Sequence, residues 1–467
     1  MSGPLWSNAA RFGFPLALGM GMQTSFNLVD AYIIARLQGD VGSQGLAAIG
    51  ICDQVSALGT IVSYGISIAT GTLLSRRHGA GDEASVRAVA WQSSLILLAM
   101  SAAFALLAAF GSEFVMQDLI GAKGEMALVA GRYLQIMVGG SFTIFLLLHL
   151  TTILRALGSS KTPITFLVLG NVINLLLAVL FVYGPGEAPP VFSWGPPIAR
   201  ALGIPRLELL GAAWATVIAR MVPLLPLIAI AAYRFKLFHR ESRTLPHWPT
   251  VRQILRLAWP TSSQLVVRIL GILLLISLVT RAYSSAEDQS SVTALGVVLR
   301  LETMVLFVSL GWGSAAQTFM GQNMGALQLR RAFNSGLLLS AYNFLMMAGF
   351  SVMCWFWGDR IVGFFDPHPA VVQTAHDYLR WVSPSYVGLG AGIVLGSAIQ
   401  GAGATRLTLI IDLAVVLLVQ LPLSLAVTTF LHFPPTALWQ VMALTYVCFA
   451  VAYALIYRQG KFLRTRA

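Results

Sequence analysis

Twelve apolar runs, each long enough to cross a bilayer, set the limits on what this chain can fold into. They fall at roughly 9–36, 44–74, 86–110, 127–153, 162–183, 207–232, 250–280, 291–320, 330–356, 371–398, 405–430 and 436–457. About 20 apolar residues span a bilayer core as a helix. In lipid, every backbone N–H and C=O has to be satisfied internally, which leaves helices or closed barrels. These runs are continuous rather than alternating, so the expected fold is an all-α membrane protein of twelve transmembrane helices. Composition agrees: 57% of residues are hydrophobic and 10% charged, against about 25% charged in soluble domains. The segment 184–206, GPGEAPPVFSWGPPIARALGIPR, holds too many prolines to be a thirteenth span.

Lys and Arg in the connecting loops give the orientation. With both termini inside, 19 of the 30 Lys and Arg fall on the inner side, eight outside and three (Arg220, Arg268, Arg300) within spans. Both termini are therefore expected in the cytoplasm. The net charge of +12 is read as basic inner loops facing anionic lipid, not as a nucleic-acid surface. No cleavable signal peptide is expected.

The two halves repeat at an offset of about 245 residues. RFGFP at 11–15 matches RLAWP at 256–260, Ser63-Tyr64-Gly65 matches Ser309-Leu310-Gly311, and LRALGSSKT at 154–162 matches IQGAGATRL at 399–407. Six spans return the chain to its starting side, so the repeats share one orientation and are related by a pseudo-two-fold axis along the membrane normal. The expected domains are an N-terminal six-helix lobe at 1–232, a basic cytoplasmic linker at 233–250 and a C-terminal lobe at 251–467. Two pseudo-symmetric bundles around a cleft can rock to expose it alternately. A receptor or scaffold has no comparable need for duplication.

Ionisable side chains inside spans mark candidate functional sites. Asp30, Asp53, Asn174 and Thr216 each lie about nine residues from the outer end of their helix, which at about 1.5 Å per residue puts them at one level. Two carboxylates, an amide and a hydroxyl suit a proton or a hard cation such as Na⁺. A structural role for Asp30, satisfied by Asn27 or Gln23, is the bland alternative. Glu302 sits at matching depth in the second half, with Arg300 and Arg268 as possible partners, and is a possible second acidic site. Asp412, near the inner end of its span and close to Arg406, is expected to snorkel. His149 is expected to be hydrogen-bonded structure. Pro15 shares a helix with Asp30 and is the candidate hinge, while Gly388, Gly392 and Gly396 repeat every four residues and read as helix packing. Cys52, Cys354 and Cys448 stand singly and form no metal motif. No P-loop lysine, HExxH or GxSxG occurs, so no enzyme, metal site or cofactor is expected beyond a coupling ion, H⁺ or Na⁺.

With those features in hand, the chain resembles the MATE family of multidrug and toxic compound extrusion transporters. The matching stretches include NLVDAYIIARLQG in helix 1, SRRHGAGD after helix 2, NVINLLLAVLFVYG in helix 5, GAAWATVIAR in helix 6 and RLETMVLFVSLGWGSAAQTFMGQNMGA through helix 8. The resemblance implies a cation-coupled exporter in which Asp30 matches the helix 1 carboxylate that binds H⁺ or Na⁺. Asn174 matches the helix 5 asparagine, Thr216 the helix 6 hydroxyl and Pro15 the helix 1 proline tied to bending on protonation. The family's helix 5 carboxylate is replaced by Ala178, a departure that tilts the coupling ion toward H⁺. The expected function is thus a proton-coupled antiporter exporting organic, cationic or amphipathic compounds by alternating access, as a monomer in the inner membrane. The alternatives are Na⁺ coupling and a lipid-linked precursor flippase of the same superfamily.

Overall fold

The computed structural model describes the chain apart from residues 1–2, 36, 38–39, 116–123, 238–245, 286–287, 366 and 466–467, and apart from the side chains at 23–31, 35, 40–51, 53–55 and 124–127. Every regular element among the described residues is helical. The spans are α1 (Leu5–Ala35), α2 (Asp40–Gly79), α3 (Glu83–Phe114), α4 (Gly124–Gly139) continued by α5 (Ser141–Ala156), and α6 (Lys161–Tyr183). A short α7 (Gly195–Ala201) and α8 (Glu208–Tyr233) complete the first half. The second half holds α9 (Trp248–Tyr283), α10 (Ser290–Gly325), α11 (Leu329–Phe365), α12 (Pro369–Val382) continued by α13 (Tyr386–Gly401), α14 (Thr405–Val415) with α15 (Leu421–Leu425), and α16 (Pro435–Gln459). Eleven helical segments are long and apolar enough to cross a membrane. With α1, whose 31 residues reach about 46 Å at the helical rise, the count is twelve. The proline-rich 184–206 segment does not span, but it carries the seven-residue α7.

The first helix of each half crosses to the other half. Phe12, Leu16 and Ala17 of α1 are buried in one cluster with Trp312, Ala315 and Phe319 of α10. Ile254, Leu257 and Ala258 of α9 are buried with Ile66, Ala69 and Leu73 of α2. Glycine makes both crossings possible. A Cβ at Gly311 would strike the Ala17 backbone, and one at Gly65 would strike the Ser262 hydroxyl. Gly65 and Gly311 are 246 residues apart, so the two contacts are pseudo-symmetric copies.

The same relation recurs at the end of the bundle where α2 and α10 stop. A Cβ at Gly79 would strike Gln322, and one at Gly325 would strike Arg76. Both chain ends lie at this face: the Gly3 carbonyl accepts from Arg331 at 2.8 Å, and the Thr465 carbonyl accepts from Arg76 at 3.0 Å. Gln317 Nε2 ties the halves deeper in, donating to the Ile68 carbonyl at 2.8 Å and to Thr72 Oγ1 at 3.0 Å. The Thr72 hydroxyl in turn donates to the Gln400 carbonyl at 3.0 Å. The halves are thus joined across the part of the bundle nearest both termini. Gly388, Gly392 and Gly396 face Tyr446, Phe449 and Tyr453 of α16 at closer than normal Cβ distance, the packing role read from their spacing.

Candidate functional site

The four residues placed at one level by their spacing sit on α1, α2, α6 and α8. The side chains of Asp30 and Asp53 lie outside the described residues; what is described is the packing of residues next to them in the chain. Ile33, Cys52, Ala178 and Ala215 belong to a single buried cluster, and each stands within one helical turn of Asp30, Asp53, Asn174 or Thr216. α6 packs against both α1 and α8, which puts Asn174's helix in the middle of the row. The Tyr183 hydroxyl donates to the Ile33 carbonyl at 2.7 Å, pinning α1 to α6 one turn past Asp30. The Cys52 thiol donates to the Ala130 carbonyl at 3.5 Å, pinning α2 to α4 beside Asp53. Asn174 is buried at 8% exposure. The Thr216 hydroxyl spends its proton on the Ala212 carbonyl at 2.9 Å and keeps its lone pairs as acceptors. Ala178, 2% exposed, fills its place in this cluster with a methyl group. Pro15 lies inside a continuous α1, four turns before Asp30.

Glu302 is 4% exposed. The Tyr378 hydroxyl donates to Oε1 at 2.7 Å and the Tyr446 hydroxyl to Oε2 at 3.0 Å. A third buried tyrosine hydroxyl, that of Tyr386, has no hydrogen-bond partner among the described residues. No arginine joins this cage among the described residues: the expected partner Arg268 is engaged elsewhere. It pairs with Asp412, Nε to Oδ2, at 2.8 Å. Asp412 also accepts from the Tyr453 hydroxyl at 2.6 Å and from Gln264 Nε2 at 2.9 Å. The expectation that Asp412 snorkels beside Arg406 is therefore wrong. Six positions along a helix turn it about 240°, onto the far side from Arg406, and Arg406 lies instead over the Trp259 ring. His149 is fully buried between the Ser67 and Ser93 hydroxyls, at 3.4 and 2.9 Å, a structural role.

The tyrosine cage was missed from sequence. Its signal was a tyrosine hydroxyl inside an apolar span, which needs a buried partner. The Gln264–Gln400 pair, 2.6 Å apart, was missed too. These amides line a central cavity where the halves meet, with Tyr64, Arg268, Gln317 and Ser397. Arg268 is 26% exposed and Asp412 only 1%, so the ion pair turns its positive end to the cavity. At about 30 Å³ the cavity has room for a water or two. Loading an organic molecule requires the halves to part.

Duplicated six-span halves around a polar central cavity, with carboxylates held inside the membrane, define a multi-pass transporter rather than an enzyme. The MatE family model matches residues 15–180 and 267–426, and the chain belongs to the MATE family, whose members include multidrug efflux transporters. It is 26% identical over 404 residues to the probable multidrug resistance protein YpnP of Bacillus subtilis, covering 86% of this chain and 84% of that one. It is 25% identical to the FAD transporter of Shewanella oneidensis, covering 91% and 88% of the two chains. In fold it matches a MOP superfamily transporter of Pyrococcus furiosus, for which a reversed polarity of the binding pocket suggests a different function. That match has a TM-score of 0.85 at 19% identity over 99% of this chain and 98% of the other. An outward-facing multidrug resistance MATE transporter gives the same TM-score at 20% identity, covering 98% of this chain and 96% of that one.

Proposed function

We propose that this multidrug efflux transporter is a proton-coupled antiporter. Its lobes, 1–232 and 251–467, joined by the 233–250 linker, rock around the central cleft as a monomer in an inner membrane, with both termini cytoplasmic. Asp30 carries the coupling proton, with Asn174, Thr216 and Asp53 around it. The observation that carries this reading is the shared cluster of Ile33, Cys52, Ala178 and Ala215, which gathers the four candidates' neighbours at one place. Ala178 supports H⁺ over Na⁺, because a hard cation gains from each oxygen ligand and a methyl group offers none. Glu302 is a second proton-holding candidate: tyrosine hydroxyls donate to a carboxylate and accept from a carboxylic acid, so its cage suits either state. One charge moved across 100 mV supplies about 2.3 kcal/mol, enough for roughly fiftyfold accumulation of substrate. Pro15 supplies the bend in α1 that links proton loading to lobe movement.

The substrates are organic amphipaths. A cationic head is the expectation from sequence, but the positive end of the Arg268–Asp412 pair at the cavity favours a second reading, an acidic head. The Shewanella relative named as an FAD transporter supports that second reading.

Efflux from proteoliposomes under an imposed pH gradient tests the coupling. Flux should vanish in Asp30→Asn while substrate binding persists. Flux that survives the substitution moves coupling to Asp53 or Glu302, and a response to a Na⁺ gradient alone overturns the proton reading. Running ethidium against FAD as cargo decides between the two head-group charges.

A further inference from the structure

A second and much larger concavity, about 1410 Å³, lies on the flank of the bundle at the end that carries both termini. It runs between α2 of the first half and α9 and α14 of the second, and is closed below by the last turn, Lys461–Arg464. Four cations line it: Arg252, Arg256, Arg406 and Lys461. No Asp or Glu is among its described lining residues. Arg252 and Arg256 stand four positions apart on α9, so their stems share one face. Arg406 is held over the Trp259 ring at 5.7 Å, a cation–π contact that fixes its position and leaves its donors free to turn outward.

The rest of the wall is largely apolar, with Gln253, Ser262, Ser263, Thr405 and Thr465 as its uncharged polar members. Val62 and Ile66 on α2 and Leu255, beside Arg256 on α9, supply apolar surface, and Val62 and Leu255 are 42% and 40% exposed. Along α9 the groove extends from Trp248 to Ser263, about 22 Å at the helical rise, which is half of a bilayer some 40–45 Å thick. Trp248, 67% exposed, marks its outer lip at the level where tryptophan favours the membrane–water interface. A groove one leaflet long, with cations along the half nearer the termini, a largely apolar wall beyond them and an interfacial tryptophan at the mouth, matches one kind of molecule.

We infer that this groove is a binding site for an anionic glycerophospholipid of the surrounding leaflet, its phosphate held by Arg252, Arg256, Arg406 and Lys461 and its acyl chains laid along α2 and α9. Basic pockets between transmembrane helices bind anionic head groups by this combination of charge and apolar contact. Because the groove is walled by α2 on one side and by α9 and α14 on the other, the bound lipid bridges the two halves at their seam.

The test is native mass spectrometry of the full chain in detergent, titrated separately with phosphatidylglycerol, phosphatidylcholine and inorganic phosphate. Wild type should retain phosphatidylglycerol in preference to phosphatidylcholine. Arg256→Gln with Arg406→Gln should weaken that retention by about thirtyfold, since each juxtamembrane cation is worth roughly fivefold in affinity for anionic lipid. Arg256→Lys with Arg406→Lys should restore most of it. Arg330→Gln, which removes an exposed charge at the same end but off the groove, should leave it unchanged. Equal retention of the two lipids, or equal loss in Arg330→Gln, overturns the site. Displacement of phosphatidylglycerol by inorganic phosphate at equal concentration overturns the lipid as its occupant.

Discussion

Arg268 and Asp412 pair where few water molecules can reach, and the pair is worth more to the fold unbroken than its charges gain from each other. Removing one partner of a buried ion pair leaves an uncompensated charge and costs about 3 kcal/mol or more, while neutralising both can be nearly free. Arg268→Gln and Asp412→Asn should each lower the thermal midpoint in detergent, and the double variant should recover part of the loss. Additive losses would mean that the two residues act independently. Outside the membrane, Asp82 caps α3: the Ser85 N–H donates to its Oδ1 at 3.0 Å. Hydrogen bonds from Ser85, first the side chain and then the backbone, hold the Asp82 carboxyl below the usual carboxylate range. A carboxyl depressed in the folded state stabilises it above the unfolded value and loses that contribution as pH falls through the folded one. Asp82→Ala should therefore cost about 1 kcal/mol near neutral pH, and the gap to wild type should close as the pH drops below about 4. A gap that persists into acid would assign the loss to packing instead. Both cases turn on what a side chain meets in space. The Asp82 cap can be read locally, from an aspartate three residues before Ser85. The Arg268 pairing joins helices 144 residues apart, and chain proximity to Arg406 pointed the wrong way.

At the scale of the helix, sequence reading succeeded where lipid left no choice. The twelve expected spans reappear, most ends within five residues and the end of α11 nine residues further on at Phe365, because a backbone in hydrocarbon has to close its own hydrogen bonds. What the pattern of apolar runs could not show was that α1 and α9 exchange partners between the halves, since hydropathy reports burial in lipid and protein alike. The glycines carry that information. At Gly311 a Cβ meets the Ala17 backbone, which cannot rotate aside, so Gly311→Ala has to push α1 away from α10. Overpacking of this kind costs about 1–3 kcal/mol. Gly296 and Gly349, in helix interiors with open space around the Cβ position, provide the contrast. Alanine there should stabilise by roughly 0.5–1 kcal/mol through helix propensity. Thermal melts of the three variants check the signs, and a neutral Gly311→Ala would show that the α1–α10 crossing is loose enough to yield.

For the molecule as a whole, the repeat read at an offset of about 245 residues becomes a physical statement at the seam. Arg76 meets Gly325 and Gln322 meets Gly79, so one surface, used twice, closes the end that bears both termini. An alternating-access cycle has to open this seam once per turnover, whatever ion drives it. Gly321 lies near the axis of that surface, and a Cβ built there falls 2.8 Å from the Ser75 Cβ, slightly nearer than the about 3.5–4.5 Å of a disulfide. A Ser75→Cys, Gly321→Cys pair, made with Cys448 replaced by Ala, should oxidise and hold the seam shut once α2 and α10 give by about 0.7 Å to reach disulfide distance, with Gly321→Ala as the control for that displacement. Transport in proteoliposomes should then stop on oxidation and return on reduction, while each single cysteine variant transports under both conditions. The two buried native thiols, Cys52 and Cys354, lie away from this surface and serve as an internal check that oxidation acts only at the engineered pair. Flux that continues through the oxidised double variant would mean that substrate crosses without the α2–α10 seam parting. The two repeats would then be a scaffold around a fixed pathway rather than the moving halves of a carrier.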